Sequence, residues 1–346
     1  MTGNDDQVLP ASKQLLEATR PFARESRVRS WWALISTLLV LGLALASAAF
    51  APWWPLRLVA SVFSGLMFVR TFILYHDFVH GALLRNSAVA RVLFFFYGLL
   101  ALTPIKYWRF SHSFHHANVG KPIPSSAPGE YALLTSDVGS FPIMSTEAWR
   151  GASRWQRGRY RIVRHPLAIL CAYVTVFLIS LCVVPLLQDP RKNWQGLLAM
   201  LVHGSVVGLV WALAGFQTLV FVVLLPFAIA SALGAYFFFA QHNFPDMHIV
   251  PIDQWSHYRG ALESSSYLQL GRVMRWFTAN IGYHHVHHLN AQIPFYRLPE
   301  AMAAIAELQH VGRTSLWPRD VRACLRLNLW DMKKQQLVPY RAAQPV

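Results

Sequence analysis

Long apolar runs broken by short polar stretches dominate the chain, and their lengths decide its fold. Runs at about 31–50 and 58–75 approach the ~20 residues that a helix needs to cross a bilayer. Three more lie at about 167–187, 197–214 and 217–240. Trp31 and Trp32 sit at one end of the first run and Trp53 and Trp54 at the other, as interfacial aromatic residues do. Pro52 and Pro55 set a tight turn between the first two runs. The stretch 92–104 holds only about a dozen residues before Thr103-Pro104, too few to span, and is expected to dip into the interface.

Parity then orders the spans. Two crossings joined by a nearly uncharged turn return the chain to its starting side, and Arg20, Arg24, Arg27 and Arg29 before Trp31 put that side in the cytoplasm. Three later crossings would strand the histidines at 284–288 on the opposite face from those at 76–80 and 112–116. Asp189, Arg191 and Lys192 separate the first two of the later runs, whereas 214–217 carries no charge. The pair 197–214 and 217–240 therefore reads as spanning, and 167–187 as re-entrant or in-plane. The expected fold is an all-α membrane protein with about four transmembrane helices, re-entrant or in-plane helices, and a cytoplasmic helical cap carrying a His-rich di-metal site. Its expected parts are a cytoplasmic tail (1–30), a membrane domain (31–300) and a C-terminal cap (301–346). The first 28 residues are polar and mixed in charge, unlike a signal peptide.

Composition agrees. Of 346 residues 54% are hydrophobic and only 14% charged, with a mean hydropathy of +0.32; a soluble domain carries more charge. The net charge of +15 fits basic loops facing anionic headgroups, and could also attract an acidic protein partner. Arg150, Arg154, Arg157, Arg159, Arg161 and Arg164 form the densest such run. Basic residues that flank apolar segments do not make a nucleic-acid face. Three scattered cysteines, Cys171, Cys182 and Cys324, exclude a disulfide framework and an iron–sulfur cluster built from this chain.

Candidate chemistry lies in the histidines at the ends of the apolar runs. His284, His287 and His288 stand at i, i+3 and i+4, sharing one helical face, and His112, His115 and His116 repeat that spacing. His76 and His80 form an i, i+4 pair, with Asp77 placed to accept the free ring N–H of a metal-bound histidine. His242 closes the last span at the same depth. Crowded protonated rings would repel one another, so neutral imidazoles on shared faces point to metal ligation. Eight or nine nitrogens exceed the needs of one ion and imply two. Imidazole suits Zn, Cu, Fe or Ni, so the ligand type does not name the metal. His203 falls within a span and reads as a helix-to-helix hydrogen bond. His248, His257 and His310 read as structural or exposed. Arg70, inside the second span, reads as snorkelling to headgroups or as an ion pair with Asp77.

These motifs resemble the integral-membrane fatty acid desaturases with their three histidine boxes. The resemblance covers about residues 58–300 and rests on His-Asp-Phe-Val-His at 76–80, His-Ser-Phe-His-His at 112–116 and His-His-Val-His-His at 284–288. Asn280-Ile281-Gly282-Tyr283, Ile293-Pro294 and Gln241-His242 look like the bacterial acyl-lipid branch. The resemblance implies a non-haem di-iron centre with O2 as co-substrate and a tunnel for a lipid acyl chain. It implies as ligands His76, His80, His112, His115, His116, His284, His287 and His288, with His242 added as in part of the family. His285 is placed beside the ligands rather than among them. A His-Pro-Gly-Gly haem signature is absent, so electrons are expected from a separate acidic donor such as a ferredoxin, at the cytoplasmic face of the cell (inner) membrane. Carotenoid or sterol hydroxylases and ketolases use similar boxes, and His-Asp-x-x-His-Gly at 76–81 is compatible with them, although residues 280–288 favour an acyl substrate. A metal carrier would instead string ligands along its spans at mid-membrane depth.

Overall fold

The computed structural model describes residues 13–123 and 133–343. Parts of the expected N-terminal tail (1–12), of the polar loop after the second histidine cluster (124–132) and of the C-terminal cap (344–346) lie outside these residues.

Two antiparallel helices open the bundle: α1 (Arg27–Phe50) and α2 (Trp54–His80). Ser26 caps α1 by accepting the Arg29 N–H, and Pro55 fits the first turn of α2, where its missing N–H is not needed. Gly81 takes the left-handed conformation (φ 74°) and its N–H reaches the carbonyls of Asp77 and Phe78. That cap stops α2 directly after His80 and so fixes where the histidine pair emerges. Helix α3 (Ala88–Leu100) then turns by 89° into α4 (Ile105–Asn118). With 13 residues α3 is about 20 Å long, too short to cross.

Residues 194–241 form one helical stretch by length, yet the chain reverses within it. Gly215 has φ 78° and ψ 169°, outside the helical region. The rings of His203 and Phe227, twelve residues to either side, lie 5.1 Å apart; on a continuous helix that separation would be about 36 Å. The segment is thus a hairpin of α6 (194–214) and α7 (216–241). Counting it once, three helical stretches among the described residues are long and apolar enough to cross a membrane.

Between α4 and α6 lies the apolar helix α5 (Tyr173–Gln188). Arg164, ahead of it, donates to Asn243 Oδ1 just past α7 (2.6 Å). Tyr173 stacks on Phe227 and its hydroxyl meets His203 Nε2. At the far end of α5, Asn193 Nδ2 donates to the Pro185 carbonyl (2.8 Å) beside the start of α6. The run therefore descends beside α7, reaches the depth of His203 and climbs back to the histidine end. His203, which also bonds the Leu100 carbonyl through Nδ1 (2.7 Å), ties three apolar segments together.

Core and rim differ as a bilayer requires. α2 is central, with Met67, Leu74 and Tyr75 fully buried, while Leu39, Leu43, Trp53, Leu213 and Phe216 on the outer helices are exposed. Large apolar faces of this kind are stable only in lipid or against a partner.

The described residues are mostly helical, with five short strands among them that apolar periodicity does not reveal. Arg313–Ser315 runs parallel to Tyr267–Gln269. Leu329–Asp331 pairs in parallel with Met144–Ser145 and antiparallel with Gln336–Val338. The tail is thereby stitched to two earlier loops. Arg164 reinforces that seam and is no surface charge: it is 2% exposed, donates to the Pro142 and Leu327 carbonyls, and forms no ion pair among the described residues.

Arg70 also departs from expectation. It does not pair with Asp77 but is buried, donating from Nε to Thr37 Oγ1 (3.0 Å) and from Nη1 to the Trp276 carbonyl. Seven helical positions put Arg70 and Asp77 on one face but about 10 Å apart along the axis; Trp276 and Phe295 pack on Arg70, and the Phe295 amide bonds Asp77.

Candidate metal centre

Four chain segments deliver the histidines: the end of α2, the second half of α4, the residue after α7, and a short helix α8 (His284–Leu289). One ring nitrogen from each of His76, His80, His112, His116 and His287 forms one group; His115, His242, His284 and His288 form a second. Within each group these nitrogens lie within 4.8 Å of one another. All nine side chains are buried or half-buried.

The two i, i+3, i+4 triads are divided in opposite senses. α4 gives His112 and His116 to the first group and His115 to the second, while α8 gives His284 and His288 to the second and His287 to the first. Helix geometry explains the split: i and i+4 nearly eclipse, and i+3 is rotated towards the neighbouring position. The groups touch where His116 stacks on His288 at 4.1 Å.

The nitrogen contacts are not a hydrogen-bond chain. His284 Nε2 lies 2.9 Å from His242 Nε2 and 3.1 Å from His288 Nε2, and His116 Nε2 lies 3.2 Å from both His112 Nε2 and His287 Nε2. A single Nε2 carries either one hydrogen or one lone pair, so it cannot satisfy two such neighbours. Nitrogens around a shared ion at about 2.1 Å would be about 3 Å apart when adjacent and about 4.2 Å when opposed. The observed spacings fit that arrangement.

The outward nitrogens fit it too. His76 Nδ1–H donates to Asp77 Oδ1 (3.1 Å), and Asp77 Oδ2 accepts the Phe295 amide (2.8 Å). His242 Nδ1–H donates to the Ser264 carbonyl (2.9 Å). Each bond fixes the tautomer that leaves Nε2 free to ligate. Burial, then mutual repulsion, holds His284, His287 and His288 well below the usual imidazole pKa, so their rings are neutral donors at pH 7.

His285 belongs to neither group. Its Nε2 donates to the Leu308 carbonyl (3.0 Å), and burial pushes its pKa down to about 4. It anchors the segment after residue 300 against α8. His248, His257 and His310 are exposed.

Gly282, just ahead of α8, has a specific steric role. A Cβ there would lie 2.4 Å from the Leu268 carbonyl oxygen, whose own amide bonds the Gly282 carbonyl (2.9 Å). Gly282→Ala must therefore push α8 away from the strand at Tyr267–Gln269. The expected cost is about 1–3 kcal/mol, seen as an earlier thermal unfolding midpoint together with reduced bound metal. Unchanged values for both would contradict this account.

Fold and site together define a helical membrane protein with a buried, all-imidazole centre able to hold metal. Residues 52–319 match the family model for fatty acid desaturases, and the chain belongs to that family, whose members are oxidoreductases. It is 28% identical over 340 residues to a protein of Bacillus subtilis named fatty acid desaturase, covering 96% of this chain and 92% of that one. It is 22% identical to the sn-1 acyl-lipid omega-3 desaturase (ferredoxin) of a Nostoc species, over 94% of this chain and 89% of the relative. It is likewise 22% identical to the sn-1 oleoyl-lipid 12-desaturase of Arthrospira platensis, over 79% and 75%.

Proposed function

We propose that the protein desaturates a lipid-linked acyl chain, using O2 and electrons from a ferredoxin-like donor, with its site at the cytoplasmic face of the cell membrane. The convergence of nine imidazole nitrogens into two adjacent groups, within a desaturase-family chain, carries this reading. His76, His80, His112, His116 and His287 would hold one iron, and His115, His242, His284 and His288 the other. Two irons there would supply the oxidising power that unactivated methylene C–H bonds demand, which no side-chain acid or base provides. The balance is one CH2–CH2 unit, O2, two electrons and two protons giving CH=CH and two waters.

The chain's own residues orient and shelter this site. Asp77 and the Ser264 carbonyl fix His76 and His242, and α2, α4 and α8 keep bulk water from the rings. Relatives named as acyl-lipid and as ferredoxin-dependent desaturases support the substrate and donor classes. Expression in a bacterial host with a ferredoxin and its reductase is expected to yield new unsaturated acyl chains by gas chromatography. An unchanged lipid profile from an iron-loaded protein would refute the reading; hydroxylated or ketolated products would move it to the related oxygenases.

A further inference from the structure

A cleft of about 250 Å³ on the flank of the bundle is lined by Arg70, Arg272, Arg275, Trp276, Asn280 and Phe295. Three guanidinium groups share it, none of its lining residues is acidic, and among the described residues none of the three arginines forms an ion pair. Arg70 is 7% exposed, with its guanidinium stacked 4.4 Å from the Trp276 ring. Arg275 is held by the Tyr283 hydroxyl (3.0 Å). Arg272 stands exposed at the mouth. A buried cation without a counter-charge is costly, and the cost falls when an anion enters.

The surroundings say which anion. Arg272–Phe277 lies along α2, with Phe277 packed edge-on against Phe63 (5.3 Å). Phe63 lies seventeen residues before His80, or about 25 Å down the helix. Beside the arginines, Val273 and Trp276 are 70% and 46% exposed. The cleft thus opens sideways, with apolar side chains that lipid would cover below it and basic ones at headgroup level. Its wall leads to the site: the Phe295 amide bonds Asp77, which bonds His76. Ala279 and Asn280, both left-handed (φ 40° and 57°), turn the chain from the cleft towards α8.

We propose that this arginine cleft seats the phosphate of a membrane phospholipid, and that the phospholipid is the carrier of the acyl chain. The second half rests on the acyl-lipid reading above. Guanidinium forks match phosphodiester oxygens, and losing one charge-assisted contact costs on the order of tenfold in affinity. Galactolipids or neutral glycerides offer no such charge.

The test uses the full-length protein reconstituted in nanodiscs. Binding of phosphatidylglycerol is compared with binding of monogalactosyldiacylglycerol and of inorganic phosphate, for wild type, R272Q, R272Q/R275Q and R272K/R275K. Expected are wild-type preference for phosphatidylglycerol, about tenfold weaker binding in R272Q, about a hundredfold weaker binding in R272Q/R275Q, and partial recovery in R272K/R275K, with metal content and unfolding midpoint unchanged. The phosphatidylglycerol-to-galactolipid ratio is the readout that general loss of structure would not move. An unaltered ratio in R272Q and in R272Q/R275Q would overturn the proposal, as would inorganic phosphate competing as strongly as the lipid. Phosphatidylglycerol binding through these arginines with no acyl conversion would uphold the seat and refute only the acyl-lipid reading.

Discussion

His287→Ala is expected to abolish double-bond formation, a loss of more than about 100-fold, because even mutating groups that merely orient metal ligands costs 10–100-fold. His287 is fully buried, and its Nε2 is 3.2 Å from His116 Nε2. Its ring lies 4.4 Å from His76 and 4.9 Å from His80. It is the α8 member of the five-nitrogen group, so its removal opens that group on the side facing α2. Metal analysis of the purified variant is expected to fall from two ions per chain towards one. His310→Ala, on an exposed ring outside both groups, is expected to keep both metal and activity. Equal losses in the two variants would defeat the assignment.

Asp77→Asn is expected to cost about 10–100-fold in metal affinity although it changes one atom. Asp77 is 1% exposed and receives two donors, the Phe295 amide and His76 Nδ1–H. An asparagine must keep its oxygen towards Phe295, since a backbone amide can only donate. Its NH2 then faces His76 Nδ1, which must become an acceptor. The ring proton moves to Nε2, the nitrogen needed for metal. Chelator competition on the variant measures this directly, and an affinity within twofold of wild type would show that Asp77 does not set the tautomer.

The sequence foreshadows the parts of the site that depend on helical spacing. The i, i+3, i+4 triads and the i, i+4 pair at His76 and His80 are local patterns. Parity placed the clusters on one side, and the rings do converge. What stayed hidden has partners far along the chain. Asp77 is fixed by an amide 218 residues away. Arg164 looked like one more surface charge until Pro142, Asn243 and Leu327 surrounded it. The strand pairs 267–269 with 313–315 and 144–145 with 329–330 are too short to carry a period. His285 sits in the richest histidine motif, yet its ring turns to Leu308, because one helical step rotates it about 100° from His284.

The hairpin at Gly215 and the turn at residues 51–53 share the end of the bundle opposite the histidines. Among the described residues, the loops that follow α2, α5 and α7 lie at the histidine end instead. A protease, antibody or label confined to the far compartment would find little more than two tight corners to attack. An electron donor is therefore expected to approach from the histidine end.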